Sequence, residues 1–405
     1  MTNATRAIAI AECLEPVADR QPVKVLFVTH SFPRQSGDPA GSFILRLALA
    51  LAADGVEVQV LAPSAPGLAP HDTIDDIAVT RYRYAPQQWE TLAYTGNMAE
   101  QVGDSLGGKA ALLGMLGGGT IALRQAIASF NPDVVHAHWW FPSGLLALGA
   151  FVSQPLVTTM HGSDVRLARK SAGAPMLFRR VMEKSAAVTA VSSWLASEAV
   201  VMAPTLACAV APMPVDTALF SPDGSRSTNR FLFVGRLNKQ KGIALLLEAV
   251  ACSARGAELD VVGDGDDRAV LETQVARLGI ASRVRFHGAQ SQEALVPFYR
   301  SAAAVVVPSE HEGLGLVAVE AQLCEAPVIA FRSGGLPDVV HDGESGILTP
   351  PGDLSGLAAA MDEITANPAR GAQLGRAGRA SAIGRFAPAA ASQTYRAIYD
   401  RVTRG

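Results

Sequence analysis

The strongest constraint on what this chain can fold into is the rhythm of its apolar runs. Short, continuous, β-branched segments alternate with helical stretches, and they do so in two successive series. KVLFVTH (24–30) is such a run, followed by the loop SFPRQSGDPAGS (31–42) and by FILRLALALAADG (43–55), whose apolar residues recur at spacings of three and four before Gly55 closes the stretch. VEVQVLAP (56–63) is the next run, and DVVHAH (133–138), PLVTTMHG (155–162) and AVTAVSS (187–193) repeat the form. Strand, loop, helix, strand is the unit of a parallel sheet, whose strands are buried on both faces and so lack polar alternation.

A second series follows the proline-rich stretch APMPVDTALFSPDGSRS (211–227). RFLFVGR, ELDVVGDG, RVRFHGA, AAVVVPS, APVIAF and GILTPP are its strand candidates. The expected fold class is therefore α/β, with two doubly wound parallel-sheet domains in tandem. Residues 1–22 read as a leader, 23–212 as a first domain, 213–228 as a linker, 229–385 as a second domain and 386–405 as a closing helix. Ligands of open α/β sheets bind beyond the carboxyl ends of the strands, so the expected site is the cleft between the two sheets.

Composition narrows the function. The 405 residues are 49% apolar, which supports large cores, and 34 Lys and Arg against 37 Asp and Glu leave a formal charge of −3, which argues against a nucleic-acid binder. Cys13, Cys208, Cys252 and Cys324 have no paired spacing, so neither a disulfide framework nor a zinc site is expected, and a reducing, cytoplasmic setting fits. Glu12, Glu15 and Asp19 stand where a signal peptide would need its apolar core. Residues 106–123 come nearest to a membrane span, but Lys109 and several glycines are expected to interrupt them.

The most specific chemical signal is SEHEGLGLVAVEAQ (309–322). It reads as a loop and then a helix from about Leu316, with Glu312 before the helix and Glu320 on it. The N–H groups of Gly313, Leu314, Gly315 and Leu316 would point at an approaching anion. Two acidic residues also suit a helix start for electrostatic reasons alone. In FVGRLNKQKGIALLLEAV (233–250), Arg236 and Lys241 stand at the mouth of a helix, which suits a diphosphate or simply two solvated cations. Gly263 and Gly265 in VVGDGDDR read first as a structural turn, with phosphate binding as the sharper alternative. His161, in TTMHGSDV, ends a strand and is expected to face the cleft, as one of His136 and His138 would. Gly41 opens the first helix, where its amide is a further phosphate contact. The cation-rich stretch 165–184 fits a solvated helix face or contact with acidic lipid.

These motifs, in this order, resemble the family 4 retaining glycosyltransferases of the GT-B fold. The resemblance spans about residues 23–400 and rests on Glu312 and Glu320 in EGLGLVAVEAQLCEAPVIA, then SGGLPDVV, FVGRLNKQKG, VVGDGD, FHGAQSQEALVPFYRSA and MHGSDV. It implies sugar transfer from a nucleotide diphosphate sugar to an acceptor hydroxyl with retention at the anomeric carbon, and no metal or other cofactor. Arg236 and Lys241 would neutralise the diphosphate, Glu312 would hold donor-sugar hydroxyls, and His161 would reach the sugar or its phosphate. Glu320 would bind the ribose, the amides of 313–316 and Gly41 would contact sugar and phosphate, and Gly263 would join the donor site. Gly288, Ala289 and Gln290 would face the base through backbone atoms. On family frequency a UDP-sugar is the expected donor, with GDP-mannose the alternative.

The expected acceptor is a surface glycan or a lipid-linked oligosaccharide, reached at the inner face of a membrane. Its candidate contacts are Tyr94 and Asn97, in the loop 81–100, together with His138. Met213-Pro214 stands where the family commonly has Asn-Gly, and Asp338 where it has Glu, in the same helix-start role. Rival readings are a non-catalytic sugar-nucleotide sensor or scaffold, and a GT-B epimerase or phosphorylase.

Overall fold

The computed structural model describes residues 22–94, 98–170 and 173–404; the proposed leader therefore lies almost wholly outside the described residues. The chain forms two sheets. The first holds β1 (Lys24–Val28), β2 (Glu57–Pro63), β3 (His71–Ile74), β4 (Ile77–Tyr82), β5 (Val134–His138), β6 (Leu156–Met160), β7 (Ala187–Ala190) and β8 (Cys208–Val210), in the order β3-β4-β2-β1-β5-β6-β7-β8. The second holds β9 (Arg230–Val234), β10 (Glu258–Val262), β11 (Val284–Gly288), β12 (Val305–Val307), β13 (Val328–Phe331) and β14 (Gly346–Thr349), in the order β11-β10-β9-β12-β13-β14. The strand order reverses at β1/β5 and at β9/β12, so each sheet has a crevice beyond its carboxyl edge at that point.

Every pairing is parallel except β3 with β4. That edge hairpin is a departure from the purely parallel expectation. It turns at Asp75 and Asp76, both with positive φ (47° and 70°), the geometry of a two-residue turn that matches strand twist. β3 is mostly exposed and polar, so no continuous apolar run announced it.

The helix Leu106–Phe130 is unbroken over 25 residues. The glycines that interrupt its apolar run include its packing surface. A Cβ on Gly114 would stand 2.0 Å from the Tyr84 carbonyl oxygen, one on Gly118 2.8 Å from that of Arg83, and one on Gly119 2.8 Å from Leu146. Close approach to the strand end at 82–84 thus compensates for the weak helix propensity of glycine.

The last helix, Pro388–Arg404, returns to the first sheet. The Tyr399 hydroxyl lies 2.8 Å from His136 Nδ1, the Tyr395 hydroxyl donates to the Ala211 carbonyl (3.1 Å), and Arg396 donates to the Asp54 carbonyl (2.9 Å). Tyr395 and Tyr399 are fully buried, so the chain end is a strap on the first sheet. In the connecting segment, Met213 and Pro214 are buried, and the Val215 N–H donates to Phe386 at 2.9 Å, where that helical arm begins to cross.

Candidate active site

The second sheet builds one wall of the cleft from its carboxyl-edge loops. After β9 the chain runs along the loop that follows β10: the Leu237 N–H donates to the Asp264 carbonyl (3.0 Å) and Gly235 to Val262 (3.0 Å). A Cβ on Gly263 would stand 1.9 Å from the Gly235 oxygen, and its N–H is spent on the Gly288 carbonyl at 2.8 Å. Gly263 thus packs against the Gly235 backbone, and its amide is engaged by Gly288. Gly288 has φ 69° and ends β11, leaving Ala289 and Gln290 exposed, with Gln290 Nε2 donating to the His287 carbonyl.

Arg236 is exposed, and its guanidinium has no partner among the described residues. Lys241 is placed differently. Gly242 adopts φ 68° so closely against the 308–312 loop that a Cβ would sit 2.0 Å from the Pro308 oxygen. This reversal carries the Lys241 ammonium into an ion pair with Glu312 Oε1, both side chains being largely buried. The two residues expected to serve phosphate and sugar separately thus neutralise each other here.

Beyond Glu312 the chain enters the helix Leu316–Leu323 through Gly315 at φ 94°. The amides of Gly313, Leu314, Gly315 and Leu316 donate to nothing among the described residues, so the helix start is open to an anion. Gly334 and Gly335 lie beneath this loop, with the Gly335 N–H on the Glu312 carbonyl at 2.9 Å. Glu320, on the same helix, is buried and accepts the Tyr299 hydroxyl at 2.7 Å through Oε2. Burial pushes its carboxyl up to about 7, while the tyrosine hydrogen bond pulls the other way.

The facing wall comes from the first sheet. His161 follows β6 and packs against Trp139 (4.4 Å between ring centroids) and Phe43 (5.2 Å), with Nε2 3.2 Å from His138 Nδ1. Asp164 pins the loop by accepting the N–H groups of Gly162 (2.9 Å), His161 (3.2 Å) and Trp140 (3.3 Å). Burial, reinforced by His138 and His30, holds the His161 imidazole well below its usual range, so it is neutral at pH 7. Gly41 caps the helix Ser42–Ala53 at φ 71°, pressed so tightly that a Cβ would stand 2.4 Å from the Ser31 oxygen.

The two walls touch. A Cβ on Gly313 would stand 2.3 Å from the His161 carbonyl oxygen, and Arg46 on the first helix donates to Gln292 of the second sheet's flank. Asp338 receives the N–H and hydroxyl of Ser193, at 2.5 and 2.6 Å. It therefore lies in the first turn of its own helix, Leu336–Val339, and also holds the start of a helix in the other lobe.

One expectation on the acceptor side changes. His136 and His138 do not point apart: residues two positions apart share a sheet face, and their rings lie 4.2 Å from each other. The Tyr94 hydroxyl donates to the Pro63 carbonyl at 2.5 Å and accepts from Arg81 at 2.7 Å, which fixes the ring beside the end of β2. Asn97 lies outside the described residues. His30 and Trp139 line the same strand ends, with rings 4.3 Å apart. His30 ends the first strand run as His161 ends another, and the same positional argument would have found it.

Residues 40–219 match the Glycosyltransferase Family 4 and residues 219–381 the Glycosyl transferases group 1, so the matches meet within the connecting segment. The chain is 30% identical to a D-inositol 3-phosphate glycosyltransferase of Streptomyces bingchenggensis, over 95% of this chain and 91% of that protein. Its fold is similar to that of sucrose-phosphate synthase from Thermosynechococcus elongatus (TM-score 0.78, 24% identity, 94% of this chain and 99% of the other). It also resembles Anabaena HepE, solved in complex with UDP-glucose (TM-score 0.69, 20% identity, 93% and 99%). Two facing parallel-sheet lobes, these matches and the full-length relative lead to one conclusion: the chain is a member of the family 4, group 1 glycosyltransferases of the GT-B fold.

Proposed function

We propose that this protein transfers a sugar, with retention at the anomeric carbon, from a UDP-sugar to a hydroxyl of a surface glycan or lipid-linked oligosaccharide. The observation that carries the reading is the convergence of Lys241, Glu312 and the open amides of 313–316 opposite His161. A donor diphosphate entering at the helix start would take up the Lys241 ammonium, and Arg236 is free to fold over its outer oxygens. Glu312, released from Lys241, then accepts from sugar hydroxyls, while Glu320 accepts from the ribose. In the transfer, the bond from the anomeric carbon to the phosphate oxygen breaks and the acceptor oxygen bonds to the same face. The departing phosphate oxygen takes the acceptor proton. The two cations and the amides stabilise the negative charge that develops on that phosphate.

His161 is neutral in this setting, which suits a hydrogen bond to a sugar hydroxyl or phosphate without charge repulsion from the lysine. The UDP preference is supported by the shared fold with HepE, whose complex contains UDP-glucose. The test is nucleotide release from UDP- and GDP-sugars in chelator, with nuclear magnetic resonance of the product anomer. Slow release of UDP with an anomer matching the donor supports the reading; inversion, or no release from any sugar nucleotide, would refute it.

A further inference from the structure

The outward face of the helix Leu106–Phe130 is not used by the fold. Among the described residues this is the one helix long and apolar enough to cross a membrane, yet its glycine face holds it flat along the end of β4. Its opposite stripe carries Leu106, Leu113 and Ile121, of which Leu106 and Leu113 are 83% and 71% exposed. Phe151, beside it, is 81% exposed and stands under the Arg124 guanidinium at 5.8 Å. Large apolar side chains so exposed, in one contiguous face, mark a contact surface.

The charge in the chain around them is mostly of one sign, although Glu100 and Asp104 precede the helix. From Ser105 to Ser163 the only carboxylate is Asp133, which is engaged by the Lys24 N–H at the far end of the helix. Lys109 lies on the apolar stripe, and Arg180 and Lys184 edge a cavity of about 670 Å³ floored by Leu116, Leu148 and Phe151. Lys109, Arg180 and Lys184 have no acidic partner among the described residues, and Glu183 lines a different cavity from Arg180 and Lys184. Docking this face on a second copy through a two-fold axis would bring cation against cation, which disfavours a dimer.

We infer that this face docks on an anionic lipid bilayer, with Leu106, Leu113, Ile121 and Phe151 in the headgroup boundary and Lys109, Arg180 and Lys184 on lipid phosphates. The helix runs antiparallel to the strands. Phe130, at its end, lies by Lys24 at the start of β1, so Leu106 stands at the carboxyl edge where the cleft opens. Docking would therefore set the cleft mouth beside the membrane. The inference deepens the proposed lipid-linked acceptor and rests on that reading only for its purpose, not for its physics.

The test is flotation of the full chain with vesicles of phosphatidylcholine alone and of equal phosphatidylcholine and phosphatidylglycerol. The account expects flotation with the anionic vesicles only, weakening by about fivefold for each cation removed. It therefore expects loss of at least about 25-fold in Arg180→Ser/Lys184→Ser, and comparable loss in Leu113→Ser/Phe151→Ser. Nucleotide-induced thermal stabilisation, measured on the same variants, should be unchanged, which separates this inference from the donor reading and shows that the variants fold. Failure of the wild type to float, or flotation unaffected by both double substitutions, would overturn it and turn attention to an acidic protein partner.

Discussion

Gly162 and Gly313 meet backbone to backbone across the cleft: a Cβ on Gly162 would stand 3.2 Å from the Gly313 Cα. One residue follows the histidine that ends a strand of the first sheet, and the other follows the glutamate paired with Lys241. The absence of two side chains thus lets the loops that carry His161 and Glu312 touch across the cleft.

Gly313→Ala tests that contact. Its Cβ would fall 2.3 Å from the His161 carbonyl, a distance that backbone atoms can relieve only by parting the lobes. The expected outcome is a fall in kcat/KM of roughly 100-fold, from misplacement of groups on the two sides. The melting temperature should change less than turnover does, because the substitution leaves the strands and helices of each sheet intact although one buried cluster spans both lobes. Unimpaired turnover in Gly313→Ala would show that the lobes need not touch.

Glu320 makes stability depend on pH. Its carboxyl is raised by burial from 4.5 to about 7, so the folded state holds the proton more tightly than the unfolded one. The stabilisation is fully present below pH 4.5 and is lost as the pH rises through about 7. Glu320→Gln keeps an acceptor for Tyr299 and removes the ionisation. Relative to wild type it should gain stability on going from pH 5 to pH 8, on the order of 2–3 kcal/mol. Urea denaturation at the two pH values measures this, and a gain that does not grow with pH would contradict it. The same substitution should weaken nucleotide binding if Glu320 holds the ribose.

Tyr399→Phe loosens the terminal strap. It removes the 2.8 Å hydrogen bond to His136 and leaves a buried imidazole nitrogen without its partner. A loss of about 1–3 kcal/mol is expected in urea denaturation. A variant as stable as wild type would place the strap's energy in packing alone.

Asp338→Ala removes both acceptors from Ser193, at the contact between lobes. Both residues are partly solvated, so about 1 kcal/mol of stability at most is expected to be lost. Turnover should fall further than stability does, since the bond sets the closure of the cleft. Rescue by Asp338→Glu, which restores the carboxylate, would support a positioning role.

Most strands of both sheets were legible because buried parallel strands read as unbroken apolar runs. β3, β4 and β8 were not, since β3 is exposed and polar, β4 alternates buried and exposed residues, and β8 has only three residues. The helix Leu106–Phe130 defeated propensity reasoning because the value of Gly114 and Gly118 lies in the strand end they touch. At the site, Glu312, Glu320, Lys241 and His161 stood out by residue type and spacing. Their pairing did not, because it depends on Gly242 against Pro308 and Gly313 against His161, contacts between segments far apart in the chain. Tyr94 looked available because nothing local reveals that Arg81 and Pro63 engage its hydroxyl.

The most direct measurement is thermal stability with UDP, GDP and their sugars in chelator, for wild type and Arg236→Ala. Arg236 is exposed and without a partner among the described residues, so its removal should leave the unliganded stability within about 0.5 kcal/mol of wild type. A diphosphate nucleotide that binds only the folded chain raises the midpoint by mass action. The account predicts a rise with UDP that survives chelator and shrinks in Arg236→Ala, corresponding to roughly tenfold to hundredfold weaker binding. A midpoint unmoved by any diphosphate nucleotide, or a rise equal in both proteins, would contradict it.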